Sequence, residues 1–389
     1  MNKLMAAERA LRSAAPHRLA TTVREVLCGL YEAEYAELRM ADYGLTVLRP
    51  VSPLSGPPEA VPLHGSAAGR AFGAQQPIEE DDAGRVRVHL PVTVRGDRLG
   101  VLSVTLPPAV RARTDPGELA ELARILGHEV VVAERHTDVY AQARRTDRLT
   151  LAAEMQWQLL PARSSARAEY ALGAQLEPAY SVFGDNFDWS ESPDRLLLYI
   201  TNGMGEGIDA SLLTSLGVNA LRNARRADIP ICDQAALADQ AIYAQYRGAV
   251  HLSVLLVDLE LATGRLRVVD AGSPRMLRLR EGTVSLVDLE AQLPLGMFEE
   301  TDYTTQELLL RPGDRLLFVS DGVHTVAGPN GESYGERALA RAVTATRLLP
   351  AADVPAAVLR ELGAHRGRSE PDDDALVACV DWFGKQPAD

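Results

Sequence analysis

The stretch "LLLYITNGMGEGIDASLL", Leu196 to Leu213, passes from an unbroken apolar strand through three closely spaced glycines into a helix-forming segment. A strand-to-helix turn with glycine at 203, 205 and 207 brings backbone amides and carbonyls close to whatever sits above it, because no side chain stands in the way. Such a loop is commonly a ligand seat. It lacks the lysine and spacing of a phosphate-binding P-loop, and no G-x-G-x-x-G can be read from it. A tight turn serving close strand-helix packing is the alternative.

Working outward, the chain from Ala166 onward alternates short strands with turns: "YALGAQLEPA", "RLLLYITN", "VHLSVLLVDLE", "RLRVVDAGS", "MLRLREGTV", "DRLLFVSDGV" and "ALVACVDW". Helical stretches are expected at Ala210–Arg226, Ile231–Tyr246, Gly335–Ala345 and Ala352–Leu362. Many strands with grouped helices indicate a layered α/β sandwich and not a parallel wound sheet. The 389 residues suffice for two or three domains. The formal net charge of -13 disfavours a nucleic-acid partner and suits a cation site. Cys28, Cys232 and Cys379 form no C-x-x-C pair, which supports neither a zinc ribbon nor a disulfide framework. No window approaches the ~18 apolar residues of a membrane span, so a cytoplasmic protein is expected.

Residues 15–135 read as one α/β unit after a helical extension at 1–14. A helix from His17 to Tyr31 precedes a hairpin in "YAELRMADYGLTVLRPV"; a short helix near "GSAAGRAFG" leads to paired strands "RVRVHLPVTVRGDRLGVLSVTL" with their turn at Arg95 to Asp97. This order resembles a GAF sensory domain, and the resemblance implies either a small-molecule pocket or a dimer surface.

From Glu118 to Leu160 the pattern is almost continuously helical, with no Gly or Pro between Gly127 and Pro161. A long connecting helix is expected, with 136–165 as the segment joining two domains. The apolar stripe Leu119, Leu122, Leu126, Val130 and Ala133 predicts pairing with a twin helix in a homodimer; packing on the chain's own domains is the alternative.

Four places set an acidic or amide oxygen beside a strand end or turn: Asp185 in "FGDNFD", Asn202 in "TNGMGEG", Asp321 in "SDGV", and Asp372 to Asp374 in "PDDDA". Hard oxygen ligands of this kind suit magnesium or manganese. Together with "EMQWQLLP" (Glu154 to Pro161), "DAGSPRML", "LPLGM", "LRPGDRLLFVSDGV" and "DDDALV", they occur in the order seen in bacterial PPM-type serine/threonine phosphatases, and the chain from Ala153 to Val380 resembles the SpoIIE branch of that family. The resemblance implies an αββα sandwich over 166–389, a centre of two manganese or magnesium ions, and removal of phosphate from a phosphorylated anti-sigma-factor antagonist of STAS type. Carried over, Asp185 is the acidic ligand of the first motif, Gly203 the glycine whose carbonyl binds metal, Asp321 the ligand of the D-G motif, and Asp372 the first aspartate of the C-terminal pair.

Asn202 stands where the family has the aspartate that bridges both metals. A two-metal phosphatase uses the pair to clamp phosphoryl oxygens and activate a water for in-line attack without a covalent intermediate. An amide offers an oxygen but no charge, so the two cations repel with less compensation; two ions are expected, bound more weakly, with a single ion held through Asp321 and Asp372 as the alternative. Glu206, Asp373 and Asp374 could add the missing acidity, and deamidation at Asn202-Gly203 could restore the aspartate. The sequence therefore leaves two readings: a metal-dependent phosphatase under GAF-like control, in which Met155, Trp157 and Leu159 transmit movement into the site, or a pseudophosphatase that sequesters a phosphoprotein without hydrolysis. For Trp157 and Leu160, plain core packing is the alternative.

Overall fold

In the computed structural model, which describes residues 3–51, 59–145, 150–177, 182–329, 331–367 and 371–385, the chain divides into two compact units, Met1–Arg148 and Leu149–Asp389. In the first, α1 (Lys3–Ser13) and α2 (Leu19–Leu30) precede β1 (Tyr35–Ala41), β2 (Val47–Pro50), β3 (Val61–Pro62), α3 (Ala67–Ala74), β4 (Ile78–Asp82), β5 (Arg85–Val94) and β6 (Asp97–Leu106); α4 (Pro108–Arg111), α5 (Pro116–Ala133) and α6 (Val139–Ala143) follow. The strands form an antiparallel sheet in the order β3-β2-β1-β6-β5-β4. The β5–β6 hairpin turns at Arg95 and Gly96, both left-handed (φ 51 and 93), the geometry whose twist matches paired strands.

The long helix expected over 118–160 is broken. α5 starts on Asp115, whose side chain accepts from Gly117 N at 2.9 Å, and stops at Ala133. After a turn, α6 adds Tyr140 and Ala143 to the core of the first unit. Residues 146–149 lie outside the described residues, and a separate helix, α7 (Leu151–Leu159), opens on Thr150, whose hydroxyl accepts from Ala153 N. The stripe Leu119, Leu122, Leu126, Val130 and Ala133 is buried within its own unit, each residue at most 3% exposed. It packs across β5 and beside α1 and α2, so it is not available to a twin helix, and the packing alternative is the one the fold realises. A side chain at Gly127 would press on the Thr93 carbonyl, which shows how closely helix and sheet approach.

In the second unit, α7 is followed by β7 (Ser164–Ala166), β8 (Tyr170–Glu177), β9 (Asn186–Glu191), β10 (Arg195–Gly203), α8 (Gly207–Arg226), α9 (Ile231–Tyr246), β11 (Leu252–Glu260), β12 (Arg265–Ala271), β13 (Arg275–Arg280), β14 (Thr283–Leu286), β15 (Gln306–Leu309), β16 (Arg315–Val319), α10 (Asp321–His324), α11 (Leu339–Ala345), α12 (Val354–Arg366) and β17 (Ala375–Trp382). Two antiparallel sheets result, β15-β12-β11-β10-β9 and β14-β13-β16-β17-β8-β7. Alternation explains their stacking. Leu196, Leu198 and Ile200 of β10 meet Phe318, Leu376 and Ala378 between the sheets, while Tyr199 of the same strand faces α8 and α9. On the far side, Leu317 and Val319 of β16 and Val377 of β17 pack under α11 and α12. The order of layers is helix, sheet, sheet, helix, as the strand and helix grouping predicts. Burial of each large aliphatic side chain contributes about 1.5–3 kcal/mol, so the doubly covered β10 and β17 hold the sandwich together.

Candidate metal centre

The site gathers at one end of the sandwich, where β10 stops and α10 and β17 begin. Asn202 and Gly203 close β10 opposite Ser253 and Leu252 of β11. Gly203 N donates to Gly184 O at 3.2 Å, and Thr214 Oγ1 of α8 donates to the same carbonyl at 2.7 Å. A Cβ on Gly203 would sit 2.5 Å from that threonine oxygen, so the first glycine of the loop is a packing requirement; Gly205 and Gly207 supply left-handed turns (φ 103 and 65) with open space around them. Both readings of the glycine loop are thus partly true: close packing fixes one end and an exposed backbone turn forms the rest.

Asp185 follows Gly184 at the start of β9 and is 1% exposed. Neither of its carboxylate oxygens has a hydrogen-bond partner among the described residues. The neighbouring Ser320 hydroxyl is engaged elsewhere, donating to Asp374 O and accepting from Leu376 N. Burial first, and then the charge of Asp374, push the Asp185 carboxyl well above the usual carboxylate range. Asp374 is equally buried but satisfied: its Oδ2 accepts from Phe183 N (2.9 Å), Gly184 N (3.1 Å) and Gln156 Nε2 (2.8 Å). Gln156 also donates to Asp185 O at 2.8 Å, which ties α7 to the strand end. Within "EMQWQLLP" it is therefore Gln156 that touches the site; Trp157 and Leu159 are buried, and Leu160 packs against the core between the sheets, the plain core roles. The two glutamines of α7, Gln156 and Gln158, carry no pattern that would have singled out the first.

Asp321 opens α10 directly after β16, with Gly322 behind it because any Cβ there would run into the Asp374 carbonyl. Asp321 Oδ1 accepts from Gly322 N at 3.0 Å and from the Asn202 side-chain amide. Since an ionised carboxylate only accepts, that amide presents its N–H2 to Asp321. Asp372 does not join them. It is exposed, and the carboxyl raised by its closeness to Asp321 is that of Asp373, lifted to about 7 by burial first and Asp321 second. The carry-over to Asp372 is therefore corrected by one residue: in a run of three aspartates, the strand start at Ala375 decides which one faces the site, and Asp374 is spent on the loop at 183–184. Glu206 is exposed at the start of α8 and makes no hydrogen bond or ion pair among the described residues, so it does not replace the missing bridging charge. His324, buried beside Ser273 O at 3.4 Å, is held below its ordinary value by burial and then by Arg275.

Asp185, Asp321 and Asp373 are electrostatically coupled carboxyl groups, hard oxygen donors of the kind that magnesium or manganese takes. The carboxylate of Asp185, buried without a donor, is the observation that fits a cation, because an unpaired buried charge costs several kcal/mol unless something external satisfies it. The set does not fit a tightly bridged pair. Among the described residues no three His, Cys, Asp or Glu side chains converge as a ready-made cage, and the bridging place is held by a neutral amide already bonded to Asp321.

Residues 192–383 match the family model of Stage II sporulation protein E (SpoIIE), a span that contains Asn202, Gly203, Asp321 and Asp373 and begins after Asp185. Over that span the C-terminal unit is similar to the SpoIIE family. Among curated proteins, this SpoIIE-type unit is similar to the phosphoserine phosphatase RsbU of Bacillus subtilis (strain 168), 21% identical over 208 residues, 53% of this chain and 62% of the relative. The crystal structure of the RsbU and RsbW domains of Rv1364c from Mycobacterium tuberculosis aligns with a TM-score of 0.50 at 21% identity, over 56% of this chain and 61% of that one. The phosphatase domain of SpoIIE from Bacillus subtilis, with a fragment of its regulatory domain, aligns with a TM-score of 0.49 at 18% identity, over 56% and 65% of the two chains. The chain thus spans less than two thirds of the length of these relatives. The similarity to RsbU and to the SpoIIE phosphatase domain lies in this unit. No helix among the described residues is long and apolar enough to cross a membrane.

Proposed function

We propose that the SpoIIE-type unit removes phosphate from phosphoserine or phosphothreonine on an anti-sigma-factor antagonist of STAS type, with a divalent manganese or magnesium ion as cofactor. The observation that carries the reading is the buried, donor-free carboxylate of Asp185 beside Asp321 and Asp373, which a pure binding module has no reason to maintain. Asp185, Asp321, Asp373 and the Gly203 carbonyl would hold the ion. Bound there, it would supply Lewis-acid activation of a water and neutralise charge on the phosphoryl group. Gln156 and Asp374 keep the 183–185 segment in place, and Asn202 restrains Asp321.

The N-terminal unit fits the role of a GAF-like sensor. An open cavity of about 710 Å³ lies on one face of its sheet, lined by Glu37, Arg39, Glu80, Arg87, His89 and Ser103 among others. A polar face of that kind supports a small hydrogen-bonding ligand as the signal. A homodimer remains part of the proposal, through a surface other than the buried α5 stripe.

A second reading is favoured by the Asn202–Asp321 hydrogen bond, in which a neutral amide fills the bridging place: a pseudophosphatase that holds a phosphoprotein without turnover. Release of phosphate from a chromogenic phosphoester with excess manganese separates the two. Turnover in the wild type, lost in Asp321→Ala, supports the enzyme; an inert wild type reactivated by Asn202→Asp supports the binder.

A further inference from the structure

The loop "DAGSPR", Asp270 to Arg275, joins β12 to β13. At one end, Gly272 (φ 142) lies so close to Ser253 that a side chain would collide with it, and Ser253 is the cross-strand partner of Asn202. At the other, Arg275 opens β13 directly opposite Val319, two residues before Asp321. Met276 points between the sheets, so Arg275 lies on the opposite face, the one it shares with Leu277, Val319 and Val323 of α10. The loop therefore spans from the neighbour of Asn202 to the neighbour of Asp321.

Two groups on this loop have no partner. Arg275 is exposed and makes no ion pair or side-chain hydrogen bond among the described residues, whereas Arg280, on the same strand, is locked onto Asp314 at 2.6 Å. Ser273 Oγ is buried without a hydrogen bond. Among the described residues Asp321 makes no ion pair with Arg275; its Oδ1 accepts from Asn202 and Gly322 N. A planar guanidinium left unpaired, on a strand whose register brings it opposite Val319 close to the start of α10, is matched to a tetrahedral oxyanion, and the Ser273 hydroxyl of the same loop adds a donor.

We propose that Arg275, assisted by Ser273 Oγ, binds the phosphoryl oxygens of the phosphoprotein, placing a fixed positive charge at a centre whose Asn202 weakens retention of a second cation. This rests on the reading of the unit as one that receives a phosphoryl group. It makes Arg275 a substrate-binding residue, with the phosphate monoester dianion as the group recognised.

The test is calorimetric titration of the full chain with inorganic phosphate in the presence of manganese, for wild type, Arg275→Gln, Arg275→Lys and Ser273→Ala, with thermal melts to confirm folding. Loss of one charge-assisted contact predicts affinity weaker by about ten- to a hundredfold in Arg275→Gln, with partial rescue in Arg275→Lys and a severalfold loss in Ser273→Ala. In turnover assays, KM for a phosphoserine peptide should rise more than kcat falls. Phosphate binding of equal strength in wild type and Arg275→Gln overturns the proposal, as does a wild type that binds no phosphate. A wild type that binds phosphate through Arg275 without hydrolysing any ester instead overturns the phosphatase reading and leaves this inference standing.

Discussion

Asp185 and Asp374 lie in the same acidic pocket, both buried, one at the start of β9 and one before β17, and they are treated oppositely by the chain. Around Asp374, two backbone amides and the Gln156 side chain converge, which makes it a structural clasp between α7, the 183–184 turn and β17. Around Asp185 neither carboxylate oxygen has a hydrogen-bond partner among the described residues, and the nearby Ser320 hydroxyl only partly offsets its burial. The difference separates an acid whose hydrogen bonds the fold supplies from one whose carboxylate it leaves unsatisfied.

Replacing the satisfied acid should do the most damage. Asp374→Ala strands three buried N–H donors and should destabilise the protein by about 3 kcal/mol or more, read as a lower midpoint in urea unfolding. A smaller effect of the same kind, about 1–2 kcal/mol, is expected for Gln156→Ala, which loses one side of the clasp. Asp185→Asn should leave metal-free stability unchanged or raise it by about 1 kcal/mol, because an orphaned buried charge disappears. A large destabilisation in that variant would erase the contrast between the two acids.

The titration of the pocket gives a subtler check. Asp185 and Asp373 are both held above their ordinary range, so the folded state binds more protons than the unfolded chain between the ordinary carboxylate range and their raised values. Without metal, stability should therefore fall as pH rises from about 4 toward neutrality, and saturating manganese should flatten that slope. A metal-free profile that rises over the same interval contradicts the assignment. Least of all should change on ageing: deamidation requires Gly203 N to attack the Asn202 side chain, and that nitrogen is bonded to Gly184 O at the end of a paired strand. Peptide mass analysis of stored protein should still show asparagine at 202.

Much of the fold is legible from the chain because burial follows local pattern. Ile231–Tyr246 is helical over the residues the periodicity marks, and the "LLLYI" run is covered on both faces. The missing features depend on partners distant in sequence. The break after Ala133 comes without glycine or proline, and the apolar stripe on α5 reads the same whether its partner is a twin helix or its own sheet. Three aspartates in a row offer three registers, and only the contacts of Asp374 with residues 156, 183 and 184 decide that Asp373 is the one facing Asp321. The role of Gln156 and the unpaired state of Arg275 are likewise properties of neighbours. Asn202, by contrast, is singled out from sequence alone as standing where the resemblance implies a bridging aspartate, and its bond to Asp321 is what the structure adds.

The most direct measurement is a calorimetric manganese titration of the full chain, with wild type and Asp185→Asn side by side. The account predicts one well-bound ion per wild-type chain and none in Asp185→Asn. A wild type that takes up no manganese, or an Asp185→Asn protein that binds it as well as wild type, would show that the donor-free aspartate is not there for a cation.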